Sequence, residues 1–211
     1  MAEEQAEDRW LPWESRVGPA TFARTLYNVA LYPVQTFGAA NRDVGMARSL
    51  VFVMITSLAA LPTSLFPDVF GRFSFAMLAG QEAPTVNLVE KYGLLSAAAR
   101  TFGVSVLAVP LGLLMFAVLL NFLLSLAGVE KPAFNRCVRA ASYHAAVVFV
   151  LGVFPLMGAV VGLPWGAYVL YGATMGLFDL TPIRAMGVTA GYVLGGIALQ
   201  VAPVLMARGG G

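Results

Sequence analysis

A long, nearly uncharged stretch from Arg139 to Asp179 limits what this chain can fold into. At about 1.5 Å per residue, one continuous helix over it would reach roughly 58 Å. The hydrocarbon core of a bilayer is only about 30 Å thick, so the stretch is too long for one crossing and suits two. Proline and glycine between Gly158 and Pro164 favour a turn there, because both weaken a helix. The stretch therefore predicts a tight hairpin of two transmembrane helices.

The composition indicates the same solvent. Of the 211 residues, 59% are hydrophobic and only 11% are charged, and the mean hydropathy is +0.78. A soluble domain normally carries about 25% charged residues. The chain has too few polar side chains to cover a water-facing surface, so we expect the lipid bilayer to be its main partner.

Several function classes are excluded by the same counts. The formal charge of +2 and the lack of a basic run argue against nucleic acid as a partner. One cysteine, Cys137, and one histidine supply no ligand set for zinc or iron, so we expect no metal and no cofactor. No spacing suggests a nucleophile with its base, so we expect no catalytic residue and a protein that is not an enzyme.

Residues 1–46 are expected to form a cytoplasmic N-terminal tail. Its first residues are acidic, unlike the basic start of a signal peptide. Trp10 and Trp13 flank a proline, a combination suited to docking on the membrane surface or on a protein partner. The alternative is a hydrophobic clasp on the domain itself.

An amphipathic helix is predicted within this tail, from Pro19 to about Tyr32. Phe22 and Leu26 fall on one face of it, and polar residues fall on another. This pattern predicts a helix that lies in the plane of the membrane interface. The alternative is a cytosolic helix packed on the bundle.

The fold class expected from the sequence is all-α, a polytopic membrane protein with five transmembrane helices. The spans are expected at residues 49–66, 102–127, 140–160, 164–179 and 185–207, within a membrane domain of residues 47–207. Trp165 should lie at the membrane–water boundary, where amphipathic rings are favoured. The bias of Lys and Arg along the chain predicts a cytoplasmic N-terminus and an external C-terminus.

Polar residues in or beside the spans are the functional candidates, because burying them in lipid is costly. They are Asn121, His144, Asp179, Arg184 and Gln200. Asn121 and Gln200 are typical of hydrogen bonds between helices. His144 is interpreted as a packing residue, with a proton relay as the alternative. Asp179 and Arg184 are close enough in sequence for a local ion pair.

Small residues recur every four positions on the last two predicted helices. They are Gly172 and Gly176 on one helix and Gly187, Gly191 and Gly195 on the other. Such faces let helix backbones approach closely in lipid. They indicate helix packing within the chain, and a homo-oligomer face is the alternative.

A family resemblance rests on short motifs distributed along the chain. They are Phe22-xx-Thr25 leading to Tyr32-Pro33, Arg139-Ala140-Ala141-Ser142-Tyr143, Phe154-Pro155-xx-Gly158, Trp165, and Leu180-Thr181-Pro182-Ile183-Arg184-Ala185. In these motifs the chain resembles the Yip family (Ypt/Rab-interacting membrane proteins), in particular its bacterial branch. The resemblance implies five spans, a cytoplasmic N-terminus and a location in the bacterial inner membrane.

The resemblance also implies a function. Eukaryotic relatives bind small prenylated GTPases through their N-terminal portion, although the aspartate-tyrosine-glycine motif of those relatives is absent from this sequence. We therefore expect a non-enzymatic adaptor, scaffold or membrane organiser with a protein partner at its N-terminal segment. The alternative is a small permease or export component whose polar path is lined by Asn121, His144 and Gln200.

Overall fold

The computed structural model describes residues 10–40, 45–59, 65, 88–153 and 161–209, with backbone only at 59, 88 and 200–209. Within these ranges the chain is helical and contains no strand. The helices are α1 (Pro12–Ser15), α2 (Pro19–Leu31), α3 (Pro33–Gly38), α4 (Ala47–Ala59), α5 (Leu88–Tyr92), α6 (Leu94–Leu126), α7 (Phe134–Gly152), α8 (Gly162–Phe178) and α9 (Pro182–Gly209).

A helix lies at each of the five predicted spans, but five crossings are not confirmed. Among the helices described, two are long and apolar enough to cross a bilayer, namely α6 and the Pro182–Leu199 part of α9. Helices α4 and α8 have only 13 and 17 residues. Helix α7 carries Arg136, Arg139 and His144, which interrupt its apolar sequence. The predicted end of the first span lies mostly outside the described residues, as does the first part of the predicted turn, residues 158–160.

Local sequence explains several of the helix boundaries. Four helices begin at a proline, namely α1, α2, α3 and α9. Proline is tolerated there because an N–H in the first turn makes no hydrogen bond within the helix. Helix α8 ends at Phe178, and the next residue, Asp179, takes a left-handed conformation with φ of 52°. Helix α6 continues through Pro110 without a break.

Helices α7 and α8 form the centre of the molecule and run antiparallel. At one end, Arg136 Nη1 donates to the Leu177 carbonyl oxygen at 3.4 Å. Further along, His144 Nδ1 donates to the Gly166 carbonyl oxygen at 2.8 Å. Helices α4 and α6 pack on α7, whereas α3 and α9 pack on α8.

The described part of the N-terminal segment packs into the same core. Leu11, Trp13, Val29 and Phe37 are buried in one hydrophobic cluster with residues of α7 and α8, such as Tyr143. Residues 10–40 therefore contribute core side chains to the helical bundle, and α1, α2 and α3 are held in fixed positions on it.

Candidate functional site

A buried ion pair joins the N-terminal segment to the central helix α7. Glu14 and Arg139 are only 3% and 1% exposed. Arg139 Nε donates to Glu14 Oε1 at 3.0 Å, and Arg139 Nη2 pairs with Glu14 Oε2. Tyr143, one turn further along α7, donates its hydroxyl to Glu14 Oε1 at 3.0 Å. We call these three residues the buried clamp.

Two neighbouring contacts fix the position of Glu14. The backbone N–H of Trp13 donates to Thr25 Oγ1 of α2 at 3.0 Å, and the Trp13 indole N–H donates to the Arg48 carbonyl oxygen of α4 at 2.8 Å. The indole also contacts the rings of Phe22 and Phe52, each with centroids 5.6 Å away. Helix α1 is thereby held between α2 and α4, and Glu14 is directed at Arg139.

The clamp is suited to fastening rather than to catalysis. A buried charge is tolerated when it is paired and hydrogen-bonded, and a guanidinium matches a carboxylate with two parallel N–H donors. Here both oxygens of Glu14 accept from Arg139, and Oε1 also accepts from Tyr143. The carboxylate is therefore already engaged by neighbours within the chain, and its chemistry is that of a structural anchor.

Helices α2 and α3 are tied down further along the segment. Asn28 Nδ2 donates to the Trp10 carbonyl oxygen at 2.9 Å, and Thr36 Oγ1 donates to the Asn28 carbonyl oxygen at 3.0 Å. The Trp165 indole N–H donates to the Ala30 carbonyl oxygen at 2.8 Å. The segment is thus hydrogen-bonded to itself and to the start of α8.

The residues expected at the membrane interface are distributed differently from the prediction. Trp13 is 2% exposed and lies inside the protein. Phe22 and Leu26 are half-buried and pack against the core, which is the placement of a helix packed on the bundle. Trp10 is half-buried beside Tyr32, and Trp165 is partly exposed while bonded to α2. An apolar stripe can face either lipid or protein core, so the sequence pattern could not show that Phe22 and Leu26 face protein.

Of the predicted polar candidates, Asn121 and His144 lie in separate helix contacts. Asn121 Nδ2 donates to the Pro132 carbonyl oxygen at 2.9 Å and lies 3.7 Å from Cys137 Sγ. Burial raises the pKa of the Cys137 thiol to about 11, so the thiol is protonated at neutral pH. His144 contacts Gly166 and stacks edge-on against Tyr192 of α9.

Asp179 and Arg184 lie at the junction between α8 and α9. Asp179 terminates α8. Arg184 lies in the first turn of α9, with Nη1 3.7 Å from where a Cβ on Gly128 would stand. The side chain of Gln200 lies outside the described residues.

The two glycine stripes face different partners. Gly172 and Gly176 face α3, and a Cβ on Gly172 would lie 2.6 Å from Pro33 Cβ. Gly191 and Gly195 face Leu123 and Leu119 of α6. A Cβ on Gly191 would lie 3.1 Å from the Leu123 side chain, and a Cβ on Gly195 would lie 2.9 Å from the Leu119 side chain. Gly187 has nothing within 4 Å. Four of the five glycines therefore serve packing within the chain.

Sequence reasoning missed the buried clamp. Glu14 lies in the segment expected to be a tail, and Arg139 lies at the start of the expected hairpin, so neither was a candidate site residue. Two weak signals were present: Glu14 follows the apolar run Trp10-Leu11-Pro12-Trp13, and Arg139 stands four residues before Tyr143, on the same helical face. The pairing itself spans 125 residues, so no local pattern could reveal it.

The residues described contain no group of three side chains able to hold a metal ion.

The fold and the site together define a class of protein. It is a helical membrane protein whose N-terminal segment is fastened into the helical bundle. Residues 27–202 match the Yip1 domain family, and the chain belongs to that family. No curated protein matches the chain, and no solved structure matches it. Glu14 precedes the matched range, whereas Arg139 and Tyr143 lie within it.

Proposed function

We propose that the chain is a non-enzymatic membrane adaptor or scaffold of the Yip type, located in a bacterial inner membrane with a cytoplasmic N-terminus. Its partner-binding surface is the outer face of α2. The family match supports a Yip-type membrane protein. The observation that carries the adaptor role is the fastening of α1, α2 and α3 to the bundle, because a rigid surface binds a partner without first paying to order a loop.

The outer face of α2 has the composition of a contact surface. Ala20, Ala23, Arg24, Tyr27 and Leu31 recur at helical spacing and are all exposed. Tyr27 is 55% exposed and Leu31 39%. Tyrosine and arginine are enriched at protein interfaces, and the small alanines between them allow close approach. We call these five residues the outer stripe.

The distribution of polar residues supports an adaptor over a permease. A transport path requires its polar groups to line one cavity. Asn121 donates to the segment before α7 and contacts Cys137 on α7, whereas His144 donates to α8. Cys137 and His144 are seven residues apart on α7, so the two contacts are separate. Neither residue lines the grooves described along α6, α8 and α9.

A photo-crosslinking amino acid at position 27 tests the proposal in intact membranes. We expect a reproducible protein adduct, identified by mass spectrometry, which is lost when Arg24→Ser and Leu31→Ser are also present. The matched control is the same amino acid at Tyr168, an exposed tyrosine on α8. Only lipid adducts from position 27, or the same adducts from position 168, would exclude a partner on the outer stripe. The amount of protein in the membrane should be equal in all variants.

A further inference from the structure

A groove opens at the N-terminal end of the membrane-crossing helix α6, with a volume of about 780 Å³. Tyr92, Arg100 and Thr101 line its polar end near the start of α6, and Val104, Ser105 and Leu107 line the end further along the helix. The position of Gly103 contributes open space, since nothing lies within 4 Å of where its Cβ would be. The groove therefore changes from cationic to apolar along one helix.

Two cations are gathered on one aromatic ring at the polar end. The guanidinium of Arg100 lies 4.1 Å from the centroid of the Tyr92 ring, and Lys91 Nζ lies 5.1 Å from it. Glu90 is the acidic residue of the same short helix α5, so the described charges here sum to one positive. This arrangement favours an anion with several oxygen acceptors, such as a phosphate group.

The depth of these cations follows from the length of α6. Residues 101–126 of α6 contain no charge, and 26 helical residues extend about 39 Å. This length covers the ~30 Å hydrocarbon core of a bilayer and leaves the ends of the uncharged stretch at its boundaries. Arg100 and Lys91 consequently lie at the headgroup level of one leaflet, and Tyr92 lies where aromatic rings are favoured.

The apolar end continues along the same helix. Leu107 is 69% exposed, and one turn further Leu111 begins a second groove that extends to Phe122. From Thr101 to Leu111 the helix rises about 15 Å, half the thickness of the core. The exposed strip is therefore as long as one acyl chain in one leaflet.

We infer that this end of α6 binds one anionic phospholipid. Its phosphate lies on Arg100 and Lys91, and one acyl chain lies along Val104, Leu107 and Leu111. A second copy of the chain fits less well, because the same orientation in the membrane would place another Arg100 at the same depth, and like charges repel.

Native mass spectrometry of the purified protein tests this inference with phosphatidylglycerol and with phosphatidylcholine of the same acyl chains. We expect tighter binding of phosphatidylglycerol and a loss of about 25-fold in Arg100→Gln/Lys91→Gln, since each basic residue near the surface contributes about fivefold. The control Arg16→Gln/Lys131→Gln removes two exposed charges elsewhere and should bind like the unmodified protein.

A substitution in the apolar end supplies a second arm. Val104→Trp should fill the groove and weaken phosphatidylglycerol binding while thermal stability is retained. Equal binding of the two lipids by the unmodified protein, or equal losses in both charge variants, would overturn the inference. So would a shift of Val104→Trp from dimer to monomer in the same spectra, because that would identify a second copy as the occupant.

Discussion

Replacing Glu14 with glutamine is expected to lower the free energy of unfolding by about 3–5 kcal/mol. Removing one partner of a buried ion pair leaves the other charge buried and uncompensated. In Glu14→Gln the guanidinium of Arg139 would remain 1% exposed without its carboxylate. Tyr143→Phe should cost less, about 1.5–3 kcal/mol, since it removes one hydrogen bond to a charged acceptor. Unfolding in mixed micelles of increasing denaturing detergent would measure both.

Two further variants separate the clamp from general effects of substitution. Glu130→Gln changes an exposed glutamate in the link between α6 and α7 and should alter stability by less than about 0.5 kcal/mol. The double variant Glu14→Leu/Arg139→Met should recover much of the loss, because an apolar pair leaves no buried charge. A Glu14→Gln protein as stable as Glu130→Gln would show that the ion pair does not form.

Replacing Gly176 with alanine is expected to destabilise the protein by about 1–3 kcal/mol through overpacking. The added Cβ would overlap the Gly38 nitrogen and the Phe37 carbonyl carbon, which are backbone atoms of α3. Backbone cannot move aside as the end of a flexible side chain does, so α3 as a whole would have to shift. Thermal unfolding of the purified protein measures the effect.

Gly187→Ala is the matched control for this prediction. It makes the same chemical change on α9, at a position with nothing within 4 Å. Alanine favours a helix over glycine by up to about 1 kcal/mol, so this variant should be equal to or slightly more stable than the unmodified protein. Equal melting temperatures for Gly176→Ala and Gly187→Ala would mean that α3 does not lie on α8.

Local sequence signals predicted much of the helical framework. Hydropathy indicated a helix at each expected span, and four of the five glycines at four-residue spacing lie against a neighbouring helix. Neither signal could identify what packs on those glycines. Gly172 and Gly176 face α3, a six-residue helix far away in sequence, because small residues admit any backbone of suitable shape.

The N-terminal segment shows why the rest could not be predicted. The stripe that contains Phe22 and Leu26 was correctly identified as apolar, but lipid and protein core are both apolar environments, so the stripe does not distinguish between them. The decisive information is the pairing of Glu14 with Arg139, and a contact over such a separation leaves no periodic trace. The outer stripe, with Tyr27 and Leu31, can be identified only from the structure, which shows which face of α2 packs against the core.

Hydrogen exchange in lipid nanodiscs tests most directly whether the N-terminal segment is part of the core. The amides of residues 21–37 should be protected for times comparable to those of α7, since α2 and α3 are bonded within the segment and to α8. In Glu14→Gln, protection across residues 21–37 should fall more than protection across α6. Exchange of residues 21–37 within seconds in the unmodified protein, with α7 still protected, would contradict the fastening of this segment.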